Sequence, residues 1–307
     1  MDFVGKRGWF FLTSLLVIFP GIVFLIIAPG LKPGIDFTGG SAVTLAFQDE
    51  VTQGPLRDEL AELGYADATV QQLEENTYFI RTKELSDDAK ATLTSGLETA
   101  LSPSGSDELS FYLVSPVVAS ETVVNAFYAV LAAAVGIFFY VWWAFRNVPS
   151  PFRYGLAAIA ALIHDAVIVI GIFAILGVVA DIEVGTMFLI AILTVIGYSV
   201  NDTIVVFDRI RENVLTYPNR ELAEVVNLSI SETIGRSLNT SLTLLFTLMA
   251  MILFGGQTIR EFLLVLLVGV IAGTYSSIGL ASQLLVTWEY GDLRRILRRG
   301  KSATATA

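Results

Sequence analysis

Six stretches of this chain are apolar for long enough to cross a bilayer, a crossing that takes about 20 residues. They run approximately Trp9–Ala28, Val123–Phe145, Tyr154–Val179, Val184–Phe207, Ser237–Phe254 and Phe262–Trp288. Between the first and the second the pattern changes. Ala42–Phe47, Ala68–Leu73, Tyr78–Thr82 and Leu109–Val114 alternate or run short, as strands do. Pro55–Leu63 reads as a helix with Pro near its first turn and Gly64 as its stop, and Asp87–Leu101 as a second helix behind a Ser86 cap. The order β-α-β-β-α-β is that of a ferredoxin-like domain. The fold class expected is therefore a membrane α-helical protein of six transmembrane helices, one plus five, with an α+β ferredoxin-like extracytoplasmic domain between helices 1 and 2.

Four regions follow. Residues 1–29 hold the N-terminus and helix 1, and residues 30–120 the ferredoxin-like domain. Residues 121–288 hold helices 2–6, and residues 289–307 a basic tail. Pro20 sits inside span 1, where it is expected to kink the helix. Span 1 reads as a retained helix rather than a cleaved signal: its apolar run is too long, and Pro29 makes its exit a poor cleavage site. Span 6 is long enough to bend, at Gly269 or Gly273, whose GxxxG spacing also permits close helix contact. Glu221–Ile234 reads as a short amphipathic helix on the membrane surface.

Charge sets the orientation. Lys6 and Arg7, Arg146 and Arg153, Arg209, Arg211, Arg220 and Arg236, and the cluster from Arg294 to Lys301 all fall on one side of the six spans. The positive-inside rule makes that side cytoplasmic, with both termini there, in a multi-pass protein of the cytoplasmic membrane. Between Gly30 and Ser115 stand 15 acidic residues and 5 basic ones. That excess suits either a surface solvated at high salt, as in a halophile, or a patch for a basic partner; the scatter of the charges favours the first.

Composition excludes several chemistries. The chain has no Cys and one His, so it carries no disulfide and no Cys- or His-rich metal site. It has no GxxxxGK[ST] loop, so it does not run on ATP through a P-loop. No enzyme activity, no cofactor and no nucleic-acid partner is expected; the partners are the lipid bilayer and other proteins.

The chemistry sits in the spans. A carboxylate inside a membrane helix is expensive and reads as functional by default. IGYSVNDTIVVFDRIREN at Ile196–Asn213 carries Asn201 and Asp202 inside an apolar pattern, then a charged cluster that reads as a solvated helix end and topology anchor. Asp202 stands six residues before Asp208, roughly 9 Å in along a helix, and Arg236 opens span 5 at a similar depth. The two can pair if spans 4 and 5 are neighbours; such an Asp is charged when paired and takes a proton when separated. Helix-joining hydrogen bonds are the plainer alternative for Asp202, and interfacial snorkelling for Arg236. His164 and Asp165 lie about midway along span 3, roughly 16–18 Å deep, and read either as packing or as the middle of an ion path. Asn239 and Thr240 on span 5 are supporting polar positions.

Several motifs in order resemble the SecD/SecF family of protein-export membrane proteins, of the resistance-nodulation-division architecture. They are GIDFTGG at Gly34–Gly40, with Gly34, Asp36, Gly39 and Gly40 as its fixed points, ALIHD at Ala161–Asp165, the Ile196–Asn213 segment, ETIGRSLNTS around Arg236, FGG at Phe254–Gly256 and GTYSSI at Gly273–Ile278. The resemblance covers nearly the whole chain. It implies an accessory subunit of Sec-dependent protein export that draws on the proton or sodium gradient. Asp202 would then be the proton-carrying acid and Arg236 its partner, with Asp165 and His164 as further relay residues. It also implies an obligate SecD partner, a SecY-type channel and a secreted polypeptide. The acidic composition further resembles a haloarchaeal member. Transporters of this architecture contain two repeats of one span, an outer domain and five spans, and this chain holds one, so a second chain is expected to supply the other. Half of a proton-driven exporter of lipids or small molecules, and a non-conducting assembly factor, are the alternatives.

Overall fold

The computed structural model describes residues 2–27, 30–256 and 259–291. The basic tail expected after residue 291 lies outside the described residues. In chain order the elements are α1 (Arg7–Ile27), β1 (Lys32–Pro33), α2 (Ile35–Thr38), β2 (Gly40–Phe47), α3 (Gln53–Glu62), β3 (Thr69–Glu74), β4 (Thr77–Thr82), α4 (Asp87–Leu101) and β5 (Ser106–Val114). Then come α5 (Pro116–Ala144), α6 (Pro151–Val179), β6 (Glu183–Val184), α7 (Thr186–Thr216), α8 (Leu222–Phe254), α9 (Arg260–Ser276), a π-helical turn at Ser277–Ala281, and α10 (Ser282–Glu289). Among the described residues six helices have the length and hydropathy to cross a membrane, the sixth running from α9 through the π turn to α10. The chain forms two compact units. One gathers the helices of the bundle; the other gathers the strands, α2 to α4, the start of α5 and the segment Ala180–Thr186.

In the sheet unit, four antiparallel strands lie in the order β3-β4-β2-β5, the ferredoxin-like arrangement. Alternation along β2 and β4 sends Val43, Leu45, Phe47, Tyr78 and Ile80 to one face, where Leu56 and Leu60 of α3 and Leu93 and Leu97 of α4 cover them. The Ser86 hydroxyl accepts from the Ala89 N–H at 3.3 Å and starts α4. Asn76 turns the β3–β4 hairpin in the left-handed region, at φ 59°, a conformation Asn tolerates better than most residues. A second, two-stranded sheet pairs β1 with β6 in parallel, Lys32 opposite Glu183 and Pro33 opposite Val184.

In the bundle unit, small residues set the helix contacts. A Cβ on Gly21 of α1 would stand 2.6 Å from the Gly171 Cα of α6, so the two backbones touch. Gly269 and Gly273 of α9 bring that helix against Val195 and Ser199 of α7, where added Cβ atoms would stand 2.1 and 2.9 Å from the facing side chains. Three expectations are corrected. The segment beginning at Glu221 is no separate surface helix: α8 is continuous from Leu222 to Phe254, because no proline interrupts it. The cluster at Asp208–Asn213 is solvated only in part: Asp208 and Glu212 are exposed near the end of α7, but Asn213 is buried and donates to the Ser229 hydroxyl at 3.0 Å. Span 6 departs from α-geometry after its glycines, at the π turn. There the Ser282 hydroxyl and the Gln283 amide donate to carbonyls five residues back, at 2.8 and 3.2 Å.

Candidate functional site: a buried acid–hydroxyl cluster

Asp165 is the most heavily partnered acid of the bundle. Its Oδ2 accepts from the hydroxyls of Ser199 on α7 at 2.5 Å and Ser276 on α9 at 2.6 Å. Its Oδ1 lies 2.9 Å from His164 Nδ1. The opposite ring nitrogen, Nε2, lies 3.0 Å from the Ser14 hydroxyl on α1, which in turn lies 3.2 Å from the Tyr275 hydroxyl of α9. Tyr275 donates to the Phe10 carbonyl at 2.5 Å. All of Ser14, His164, Asp165, Ser199 and Ser276 are buried. One chain of hydrogen bonds thus joins four helices.

This chain accommodates both protonation states of His164. With a neutral ring, Nδ1–H donates to Asp165 and the Ser14 O–H donates to Nε2. With a charged ring, both nitrogens donate, and Ser14 turns its proton to the Tyr275 oxygen, whose own proton is already committed to Phe10. No donor is stranded in either state, which matters where an unpaired polar group is costly.

Asp202 belongs to the same neighbourhood. Its Oδ2 accepts from the Ser277 hydroxyl at 2.5 Å, and its residue is 8% exposed. Ser276 and Ser277 are consecutive, one on Asp165 and the next on Asp202. They stand where α9 passes into the π turn. Asp202 also follows Ser199 by three residues on α7, about 4.5 Å along the axis and on the same face. The expected separation between a shallow Asp202 and a midplane Asp165 therefore shrinks to about one helical turn. Sequence reasoning singles out none of Ser14, Ser199, Tyr275, Ser276 and Ser277 as a site residue, although the last four lie inside its motifs.

The structure does not bring Arg236 to Asp202. Arg236 is exposed and makes no ion pair among the described residues, because it lies on a face of α8 with Asn239, Thr240, Thr243 and Thr247, while Asp202 is turned inward to Ser277. Asn239 and Thr240 are exposed as well, Thr240 bonding only back to the Arg236 carbonyl at 3.0 Å. Asn201 occupies an outward face of α7 with Thr194 and Gly197. Of the predicted site residues in the spans, the structure thus groups His164, Asp165 and Asp202, and leaves Asn201, Arg236, Asn239 and Thr240 on open faces. Gly34, Asp36, Gly39 and Gly40 lie in the sheet unit. Among the described residues no group of three or more His, Asp or Glu side chains is placed to hold a metal ion.

Comparison with known proteins adds the family context. Residues 97–291 match the family described as protein export membrane protein SecD/SecF, C-terminal, and residues 24–51 match the SecD/SecF GG motif. The chain is 43% identical to the protein translocase subunit SecF of Thermobaculum terrenum, over 99% of both chains. It is 34% identical to the protein translocase subunit SecDF of Bacillus subtilis, over 96% of this chain and 39% of that one. A crystal structure of SecDF, a translocon-associated membrane protein from Thermus thermophilus, superposes with a TM-score of 0.83 at 35% identity, over 94% of this chain and 39% of the other. None of these sources is a haloarchaeon, so the haloarchaeal likeness is not borne out.

Proposed function

Because the chain belongs to the SecD/SecF family of protein-export membrane proteins, as a multi-pass accessory subunit of protein translocation, we propose that its acid–hydroxyl cluster relays the ion whose gradient drives export. The observation that carries this reading is the pair of buried carboxylates held by consecutive serines on one broken helix. A buried acid that lacks a fixed cation is costly when charged and is relieved by taking a proton. Asp202 has one hydroxyl donor and retains lone pairs for a proton, whereas the lone pairs of Asp165 are engaged by three neighbours. In this reading Asp202 is the group that loads and unloads. His164 and Asp165 extend the path toward Ser14 and Tyr275. The coupled ion is the proton, and the chain carries out no catalysis of its own.

A SecD chain supplies the second repeat. The exposed polar stripes, Arg236, Asn239, Thr240, Thr243 and Thr247 on α8 and Thr194, Gly197 and Asn201 on α7, support this. Polar side chains at membrane depth face protein or water rather than lipid, so these two stripes mark the side that the partner covers. Arg236 then answers an acid across that interface instead of Asp202 in its own chain. The sheet unit is extracytoplasmic, both termini are cytoplasmic, and the pair works beside a SecY-type channel on a secreted polypeptide.

The test is gradient-driven proton flux and export in vesicles holding this chain, its SecD partner and the channel. Asp202→Asn is expected to stop both, while Arg209→Gln, away from the cluster, leaves both intact. Full flux in Asp202→Asn vesicles sinks the relay.

A further inference from the structure

The relay leaves the GIDFTGG segment, Gly34–Gly40, without a task, yet the sheet unit is tied together around it. The Gly34 N–H donates to the Val184 carbonyl at 2.8 Å, continuing the parallel pairing of β1 with β6. The Lys32 ammonium sits on the Asp181 carboxylate. From the main sheet, the Arg81 guanidinium of β4 donates to Glu183 at 2.6 Å and to the Pro33 carbonyl at 2.9 Å. Asp36 Oδ2 accepts from the Thr186 N–H at 2.6 Å. Thr186 is the first residue of α7.

The glycines show how tightly this is built. A Cβ on Gly185 would stand 2.7 Å from Asp36 Oδ2, and one on Gly40, at φ 124°, would stand 2.5 Å from the Thr82 carbonyl oxygen. Gly39, at φ 73°, rests against Pro116, the first residue of α5. One seven-residue segment therefore touches the main sheet, the start of α5 and the start of α7.

Its contact with α7 carries the consequence. α7 is one unbroken helix from Thr186 to Thr216 and holds both Ser199 and Asp202. An α-helix transmits an axial shift with little loss, since its hydrogen bonds fix 1.5 Å per residue; Asp202 lies about 24 Å along from Thr186. The first amides of a helix have no intrahelical acceptor, and a carboxylate is a favourable partner for them.

We propose that Asp36 is the coupling residue of ion-driven export: through the Thr186 amide it grips the outer end of α7, so that displacement of α7 on loading and unloading of Asp202 is delivered to the sheet domain. This rests on the relay reading above. Asp36 is a positioning residue and touches no transported ion. The second hold, Arg81 on Glu183, keeps the Ala180–Thr186 segment against β4 so that the grip does not slacken.

The test uses the full chain with its SecD partner and channel in vesicles, with proton flux and gradient-stimulated export read side by side. Asp36→Leu removes the acceptor, and Thr186→Pro removes the donor at a first helical position that tolerates proline. Each is expected to leave flux within about twofold of the parent and to reduce gradient-stimulated export about tenfold, a typical size for coupling between sites. The double variant is expected to be no worse than either single one. Asp36→Asn keeps an acceptor oxygen and is expected to export normally. Parallel loss of flux and export in both single variants makes Asp36 a plain structural cap and overturns the proposal. So does normal export from Asp36→Leu. The relay reading fails separately, if Asp202→Asn conducts and exports as the parent does.

Discussion

The two buried acids of the bundle and the cation-paired acids of the sheet unit are held in different ways. Asp165 and Asp202 are held by serine hydroxyls, with His164 beside the first, and among the described residues no Lys or Arg pairs with either. In the sheet unit Glu183 meets Arg81, Asp181 meets Lys32, Asp67 meets Lys83 and Glu108 meets Lys90. A fixed cation balances a carboxylate permanently. A hydroxyl only solvates it, and a proton is then free to come and go. Two buried carboxylates held by hydroxyls thus suit a relay, whereas the cation-paired acids of the sheet unit keep their charges where they are. Glu183 shows the competition within one group: burial pushes its carboxyl up, and the Arg81 guanidinium and, more weakly, Lys32 pull it back down.

Asp165→Ala tests the bundle side with the largest expected effect. It removes the carboxylate partner of Ser199, Ser276 and His164 Nδ1, and although Ser276 keeps the Gly273 carbonyl at 3.2 Å, each buried group left without a partner costs about 1–3 kcal/mol. The detergent-solubilised pair should lose thermal stability well beyond that of Ser277→Ala, which removes one hydroxyl bond of the kind that averages about 0.6 kcal/mol in membrane proteins. Equal losses for the two variants would remove the distinction between a framework acid and a loading acid.

A smaller effect sharpens the sheet side. The Ser104 N–H and hydroxyl, with help from Ser102, hold the Asp49 carboxyl below its ordinary value. The charged form is therefore favoured by folding, so its contribution is complete above the ordinary carboxylate range and is lost as pH falls through the depressed value. Glu183 has the opposite sign: folding favours its protonated form, and its contribution fades as pH rises through the raised value. Hydrogen exchange corrected for intrinsic rate should show protection at the Ser104 amide falling on acidification and protection at the Val184 amide holding. The smallest effect belongs to Asp67→Ala, which breaks an exposed pair with Lys83 worth about 0–1 kcal/mol.

Much of this was legible in the sequence. Six apolar runs and a period-two pattern gave the spans and the strand order, because burial in lipid or in a sheet core imposes those periods directly. Facing was harder. Counting residues along the spans puts Arg236 and Asp202 at a similar depth, but depth does not say which side of a helix a residue takes. The helical period does: Asp202 recurs with Ser199 and Val206 on the inward face, and Arg236 recurs with Asn239, Thr240 and Thr243 on the open one. The serines stayed hidden for a different reason. A Ser in a span packs like Ala, and only the carboxylate brought to it by another helix gives its hydroxyl a role. Asp36 was visible as part of a motif, but its partner, the Thr186 amide, is backbone and leaves no mark in the sequence.

The central claim is that Asp202, and not merely the cluster around it, carries the exchanging proton. The most direct measurement is the carboxyl-stretch infrared difference spectrum of the reconstituted pair, recorded on imposing and reversing a pH gradient. The account predicts a protonated-carboxyl band that grows and fades with the gradient, is absent in Asp202→Asn and persists in Asp36→Leu. A band that survives unchanged in Asp202→Asn would contradict it.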